Sequence, residues 1–384
     1  MILILSITFT LILLGIIERY RHQRLIHKIP IRIHVNGTRG KTMLVRMIAE
    51  MFTRAGKSVT AKVTGEQPQF YTSENGWQRW KRRGVARIKE QMVFIRKIAT
   101  KKPDVLVLEN MALQPENQYV SESHMMQSTL SVYSNIRPDH QEVMGANIND
   151  ISQTLAYSFP KNGTIIILQR NASKHLVDWA AANKSQFIPV QPDAAFHHHS
   201  LPVFDESFAL LKQIQFLHQL PDDSFEETVT HWKQSLTPDK FVLPVEIDGE
   251  KKYLINLFSC NDVESASELL LALENSMTIE RPYTILLTCR SDRPLRTLTF
   301  LKWICTVNIF SHLILAGGVP ILPVRRLLKH FDIPRSDIHF VPRINSEKII
   351  SALNGSSNYI LGLGNYVRTG EKIISYLKKE PHDH

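Results

Sequence analysis

Gly37, Thr38, Arg39, Gly40, Lys41 and Thr42 spell GTRGKT inside the stretch HVNGTRGKTMLV, residues 34–45. Backbone N–H groups at a tight glycine turn and a helix start can point at phosphate oxygens, a lysine adds charge, and a threonine hydroxyl can hold Mg²⁺. The strict phosphate-loop pattern wants a glycine six residues before the lysine. That place is Val35 here, and the glycine stands instead at Gly37. A loop that leaves its strand by another path can use that glycine, so the stretch reads as a nucleotide-binding loop. The plainer alternative is a glycine turn with an incidental lysine.

Such a loop needs a strand before it and a helix after it. IPIRIHV supplies an apolar run, and TMLVRMIAEMFTRAG carries apolar residues at spacings of three and four. DVLVLEN at 104–110, STLSVYSNI at 128–136 and GTIIILQ at 163–169 read as further strands of a buried parallel sheet. Ligands of such sheets bind at the carboxyl ends of the strands. Glu109 stands at one of these ends, where its carboxylate can reach a metal held by Thr42. Asn135, Asp139 and His140, in SNIRPDHQEVMG at 134–145, lie just past the next strand on the same edge. Taken alone, His140 reads as a structural histidine, since imidazole is not a usual first choice for Mg²⁺.

GTRGKT, VLEN and NIRPDHQEVMG, in this order and at these strand ends, resemble the Mur ligase superfamily of ATP-dependent amide ligases. Within it the chain most resembles the ligases of poly-γ-glutamate capsule synthesis, through ERYRHQR, NGTRGKT, KVTGE, NIRPDHQEVMG, TCRSDRPLRT at 288–297 and GLGN. The resemblance covers nearly the whole chain. It implies that Lys41 and Thr42 hold the β and γ phosphates and Mg²⁺, with Mn²⁺ as the alternative ion. Glu109 would ligate that metal, His140 would help position a second one, and the loop with Asn135 would hold ATP.

Past residue 244 the chain alternates strand and helix: KYLINLF, YTILLTC, HLILAGG, IHFVP and YILGLGN each precede a helical stretch. The resemblance gives Lys240 the place of an arginine that contacts the transferred phosphate, with Val242 where a glutamate often follows. Asn261 matches an asparagine that faces adenine, although Asp262 replaces its common proline neighbour. Arg290, Asp292, Arg293 and Arg296 crowd one strand end. Their guanidiniums could grip the carboxylates of a glutamate chain, or Asp292 could close an internal salt-bridge network. GLGNYVRTG at 362–370 is a glycine turn that could hold a carboxylate.

The first 17 residues carry no charge and would span about 25 Å as a helix, the short end of a membrane crossing. Arg19, Arg21 and Arg24 follow, which places the remainder in the cytoplasm by the positive-inside rule. A buried first helix is the rival reading. At 384 residues, 43% hydrophobic and 21% charged, the rest has a globular composition with room for two domains. Cys260, Cys289 and Cys305 make no metal-binding or disulfide pattern, consistent with a reducing compartment. The net charge of +10 favours anionic partners, and without a nucleic-acid module signature nucleic acid is not expected among them. Residues 77–102 hold ten Lys or Arg against the single acid Glu90, either a solvated connection or a basic surface for anionic lipid or polymer. His197, His198 and His199 read as a surface loop rather than a metal site. Many relatives carry a carbamylated lysine, and Lys161, Lys174 and Lys184 are its undistinguished candidates.

The expected protein is therefore α/β throughout: a membrane helix with basic flank at 1–24, an ATP-binding Mur-ligase-like central domain with a parallel sheet at 25–243, and a Rossmann-like domain at 244–384. It would be a single-pass membrane ligase with its catalytic part in the cytoplasm, joining glutamate into poly-γ-glutamate through an acyl phosphate. A multi-pass membrane partner would receive the polymer, and the chain could form a homo-oligomer. The rivals are a Mur or folylpolyglutamate-type ligase with another acceptor and a membrane-bound nucleotide-hydrolysing switch.

Overall fold

The computed structural model describes residues 1–65, 68–82, 84, 86–192, 201 and 204–377. Glu66 of KVTGE and the run His197–His199 lie outside them. The chain forms two compact units, the first ending at Trp232 and the second beginning at Lys233.

The first unit is built on eight strands: β1 (Ile31–Asn36), β2 (Val59–Val63), β3 (Gln69–Thr72), β4 (Gly76–Arg79), β5 (Val105–Glu109), β6 (Leu130–Tyr133), β7 (Thr164–Leu168) and β8 (Gln186–Val190). Their order in the sheet is β4-β3-β2-β5-β1-β6-β7-β8. Six pair in parallel, while β3 and β4 continue the sheet as antiparallel strands. The four parallel strands read from the sequence are β1, β5, β6 and β7. The register sets Val35 beside Glu109 and Asn36 beside Tyr133, so three strands end on one edge together.

Helix α1 (Ile2–Ile26) exposes every residue from Met1 to Ile17, and none of its apolar window is buried. A core helix would hide that surface, so the exposed segment has the length and composition of a membrane span. The end of α1 behaves differently. His22 is buried with Nε2 bonded to the Met125 carbonyl at 2.7 Å, and Ile26 and Ile29 pack with Phe94, Ile95, Ile98, Leu106, Leu108 and Met126.

After β1, helix α2 (Lys41–Arg54) buries Leu44, Val45, Ile48, Met51 and Phe52, the stripe expected from spacings of three and four. Helix α3 (Lys89–Ile98) lies within the basic stretch 77–102 and turns Gln91, Phe94, Ile95 and Ile98 inward. Both tryptophans of that stretch make packing contacts. Trp80 meets Phe70 and Phe94 edge-on, and Trp77 lies 4.3 Å from the Arg46 guanidinium. Between the two sheets the chain forms two full helices, Asp205–Leu217 and Asp222–Ser235. Pro221 lies just ahead of the second, a position that tolerates proline.

The second unit carries a six-stranded sheet of β9 (Val242–Ile247), β10 (Glu250–Asn256), β11 (Tyr283–Cys289), β12 (Phe310–Gly317), β13 (Ile338–Val341) and β14 (Tyr359–Leu363), in the order β13-β12-β11-β14-β10-β9. The five strands expected from alternating βα units are β10 to β14, and they pair in parallel. β9 is an addition. It runs antiparallel to β10 through Asp248 and Gly249, whose φ angles of 51° and 77° belong to a tight hairpin turn. Pro244 lies inside β9, an edge strand, where a missing N–H costs no ladder bond.

Candidate active site

GTRGKT runs from the end of β1 into α2. Gly37 has φ 115° and Gly40 φ 74°, a region open to glycine at little cost. A Cβ on Gly37 would lie 2.5 Å from Ser134 Oγ and 2.7 Å from the Asn135 carbonyl oxygen. Gly37→Ala should cost about 2 kcal/mol in the loop and weaken binding of an ATP analogue by roughly thirtyfold, as titration calorimetry would read. Gly40 is the N-cap of α2 and offers no side chain to its first N–H groups, which leaves them for an anionic ligand.

The loop is held from β6. Asn135 accepts Thr38 Oγ1–H at 2.9 Å and Arg39 N–H at 3.0 Å through one side-chain oxygen, and its carbonyl accepts Thr38 N–H. Arg39 also pairs with Asp139 at 2.9 Å. Beneath the loop, Asn36 donates to Gln118 and Ser158 and accepts the Gly37 N–H, while Gln118 also receives Asn110. This buried amide network escaped the sequence reading. Its signal lies in amides ending two apolar strands, Asn36 and Asn110, but Gln118, eight residues after Asn110, is 82 residues from Asn36.

Lys41 folds back on its own loop, with Nζ 2.7 Å from the Gly37 carbonyl oxygen. Burial pushes its ammonium below the ordinary lysine range, against the opposing pull of Glu109 and Asp139. Thr42 Oγ1 donates to Glu109 Oε2 at 3.0 Å, and the same oxygen accepts Thr64 N–H at 2.8 Å. Gln91, missed from sequence, fixes the Glu109 backbone by donating to its carbonyl at 2.9 Å. His140 has φ 47°, with Nε2 3.7 Å from Asp139 and Nδ1 3.6 Å from Glu142. Among the described residues no three His, Cys, Asp or Glu side chains form a ready metal cluster. The oxygens of Thr42 and Glu109 are nonetheless hard donors of the kind Mg²⁺ and Mn²⁺ take.

Lys62 of KVTGE is buried, 2.6 Å from Glu90, which also binds Arg82. Burial lowers the lysine's proton affinity, and Glu90 works against that shift.

In the second unit, Lys240 occupies a short 3₁₀ turn before β9, exposed and 3.6 Å from Asp239. Arg290 and Asp292 form a two-pronged pair at 2.9 and 2.7 Å, so part of the arginine set closes on itself. Arg296 donates to Asn261 at 2.9 Å and to Asn365 of GLGN at 2.8 Å, joining three motifs that are far apart in sequence. Asp262 caps the following helix through Ser265 N–H, which explains an aspartate where a proline is common. Arg293 begins the helix after β11.

The Arg290 guanidinium holds the Asp292 carboxyl at about 2, below its ordinary 3.8. The resulting stabilisation is present above pH 3.8 and fades as pH falls towards 2. Because Asp292 is well exposed, the effect on stability should be small. Carboxyl NMR should place Asp292 near 2, and Arg290→Ala should return it to the ordinary range.

This fold is that of the Mur-type ATP-dependent amide ligases. The chain is similar to the bifunctional folylpolyglutamate synthase/dihydrofolate synthase of Yersinia pestis complexed with AMPPNP and Mn, at TM-score 0.64, 14% identity and coverage of 91% of this chain and 89% of that one. Within that fold the chain is similar to proteins of the CapB type. Residues 242–380 match the family model of the poly-gamma-glutamate synthase CapB C-terminal domain. PGA synthase CapB of Bacillus subtilis is 25% identical over 376 residues, covering 95% of this chain and 94% of that protein. Capsule biosynthesis protein CapB of Bacillus anthracis is 23% identical over 393 residues, covering 99% and 83% respectively.

Proposed function

We propose that this chain is a membrane-anchored ligase that uses ATP and a divalent cation to build poly-γ-glutamate. The observation that carries the reading is the pairing of Thr42 with Glu109 beside Lys41, at the edge where three parallel strands end. The names of the CapB relatives supply the substrate, and the AMPPNP and Mn of the folylpolyglutamate synthase neighbour support nucleotide and metal use.

A glutamate γ-carboxylate oxygen attacks the γ-phosphorus of ATP, ADP leaves, and an acyl phosphate results. The amine of the next glutamate then attacks the acyl carbon, phosphate leaves and the amine proton is lost. The first step brings anions together, and a dication held by Thr42 and Glu109, here assigned as Mg²⁺, would neutralise part of that charge. Lys41 adds the cation that the β and γ phosphates would draw from the Gly37 carbonyl. Asn135 keeps the loop in shape, and His140 is assigned to a second ion. Arg290, Arg293 and Arg296 are assigned to glutamate carboxylates, with Asp292 competing for Arg290. No enzyme nucleophile is needed. Burial raises Cys289 to about 12 and Cys305 to about 11, so both remain thiols.

ATP turnover should depend on glutamate or a poly-γ-glutamate primer and release ADP. Turnover indifferent to glutamate, or release of AMP, would overturn the mechanism. A switch protein would keep basal turnover in Arg293→Ala, whereas a ligase should lose polymer formation. The exposed apolar part of α1, with Arg19, Arg21 and Arg24 behind it, supports a single crossing with a cytoplasmic catalytic part beside a multi-pass partner. Protease added outside intact cells should leave residues 25–384 uncut, and cleavage there would reverse the orientation.

A further inference from the structure

A cleft of the first unit that the active site does not use lies at the amino ends of the strands, opposite the GTRGKT edge. It has a volume of ≈ 960 Å³. Arg32 is the second residue of β1, Thr129 immediately precedes β6, and Lys161 with Asn162 precedes β7. The other wall is α1 itself, through Arg19 and Gln23.

The lining is cationic. Arg19, Arg32 and Lys161 face it together with His27, His124 and His175. Its two acids are Glu122 and Asp178, and Glu122 is already paired with buried His34 at 2.7 Å. Neither Arg19 nor Lys161 makes an ion pair among the described residues. His124 Nδ1 has no hydrogen-bond partner there either, and after burial the nearby charges of Arg19 and Lys161 are what hold the His124 imidazole below its ordinary range. Cations therefore outnumber acids in this lining, with Arg19, Arg32 and Lys161 against Asp178 and the already paired Glu122.

The place of the cleft along α1 is as informative as its charge. The apolar exposed segment ends at Ile17. At about 1.5 Å per residue, Arg19 follows it by roughly 3 Å and Gln23 by roughly 9 Å. The headgroup layer of one leaflet is roughly 5–8 Å thick, so Arg19 stands at its depth and Gln23 just beyond it. Tyr119 and Tyr157 at the lining are 42% and 40% exposed, and Trp179 packs against Tyr157 and His175. Partly exposed aromatics beside cations are the composition of a membrane interface.

We propose that this cleft binds the phosphate of an anionic phospholipid from the leaflet that α1 enters. The inference rests on the membrane anchoring proposed above. A lipid held there would tie the catalytic unit to the membrane at a second point and fix its rotation about α1.

The test uses the full chain in nanodiscs of phosphatidylcholine with or without phosphatidylglycerol, with retained lipid read by native mass spectrometry. The wild type should keep phosphatidylglycerol in preference to phosphatidylcholine. The double variant Arg19→Gln, Lys161→Gln should lose about thirtyfold of that preference, two surface-level cations being removed. Arg21 and Arg24 remain to orient the span. Equal retention by wild type and variant would overturn the inference while leaving the anchor standing. Failure of the wild type to enter even phosphatidylcholine discs would overturn the anchor and the inference with it. Displacement of phosphatidylglycerol by inorganic phosphate would assign the cleft to a free phosphate, and poly-γ-glutamate binding that needs Arg19 and Lys161 without any lipid preference would assign it to polymer. Either result defeats the lipid source.

Discussion

Lys41→Ala and Glu109→Gln each lower polymer formation by about 10²–10³ or more without unfolding the protein, because each removes charge stabilisation that the reaction needs and the fold does not. Among the described residues Lys41 is bonded only to carbonyls of its own loop, and its burial disfavours the ammonium. Alanine relieves that desolvation while removing the cation proposed to face the phosphates. Glu109→Gln keeps an oxygen able to accept from Thr42 and Thr64 N–H, so the local geometry survives while the proposed anionic metal ligand is lost. Steady-state kinetics together with thermal melts separate these outcomes. A fall in activity matched by collapse of the melt would show that the residues serve the fold instead. Wild-type rates in both variants would remove the site from this edge of the sheet.

Deleting the first 17 residues should leave a folded, soluble protein, whereas a chain beginning at residue 30 should fail to fold. The reason is the change of character along α1. Met1 to Ile17 face outward, but Ile26 and Ile29 are fully buried against Phe94, Leu106 and Leu108. Losing two buried isoleucines costs about 4–8 kcal/mol, against a total stability of roughly 5–15 kcal/mol for a domain. The longer deletion also leaves the Met125 carbonyl without His22. Soluble yield, circular dichroism and urea unfolding check the pair. Equal stability of the two truncations would show that the end of α1 is a mere tether. The exposed apolar segment is thus continuous with the core that carries β5, whose last residue is Glu109.

Much of the nucleotide edge was legible because it is written in local patterns. Apolar runs ending in polar residues named β1, β5, β6 and β7, and the displaced Gly37 named the loop type. The strands β2, β3, β4, β8 and β9 were not read, since their short runs carry little periodicity and they are strands by virtue of the partners beside them. The Asp248–Gly249 hairpin was the one local signal for β9 that went unused. The arginine cluster after β11 was found, but its division was not. Arg290 closes on Asp292, two residues away, while Arg296 reaches Asn261 and Asn365.

What the sequence determined by itself was therefore the chemistry on offer: a phosphate loop, a carboxylate at a strand end, a cationic cluster and an apolar first segment. Each depends on residues within a turn or a strand of one another. The tertiary structure decided which of these groups meet. Thr42 and Glu109 are 67 residues apart, and they touch because β1 lies between β5 and β6 in a register that sets Val35 beside Glu109. Sheet order and register are settled by burying all the strands at once, and no local spacing encodes that choice.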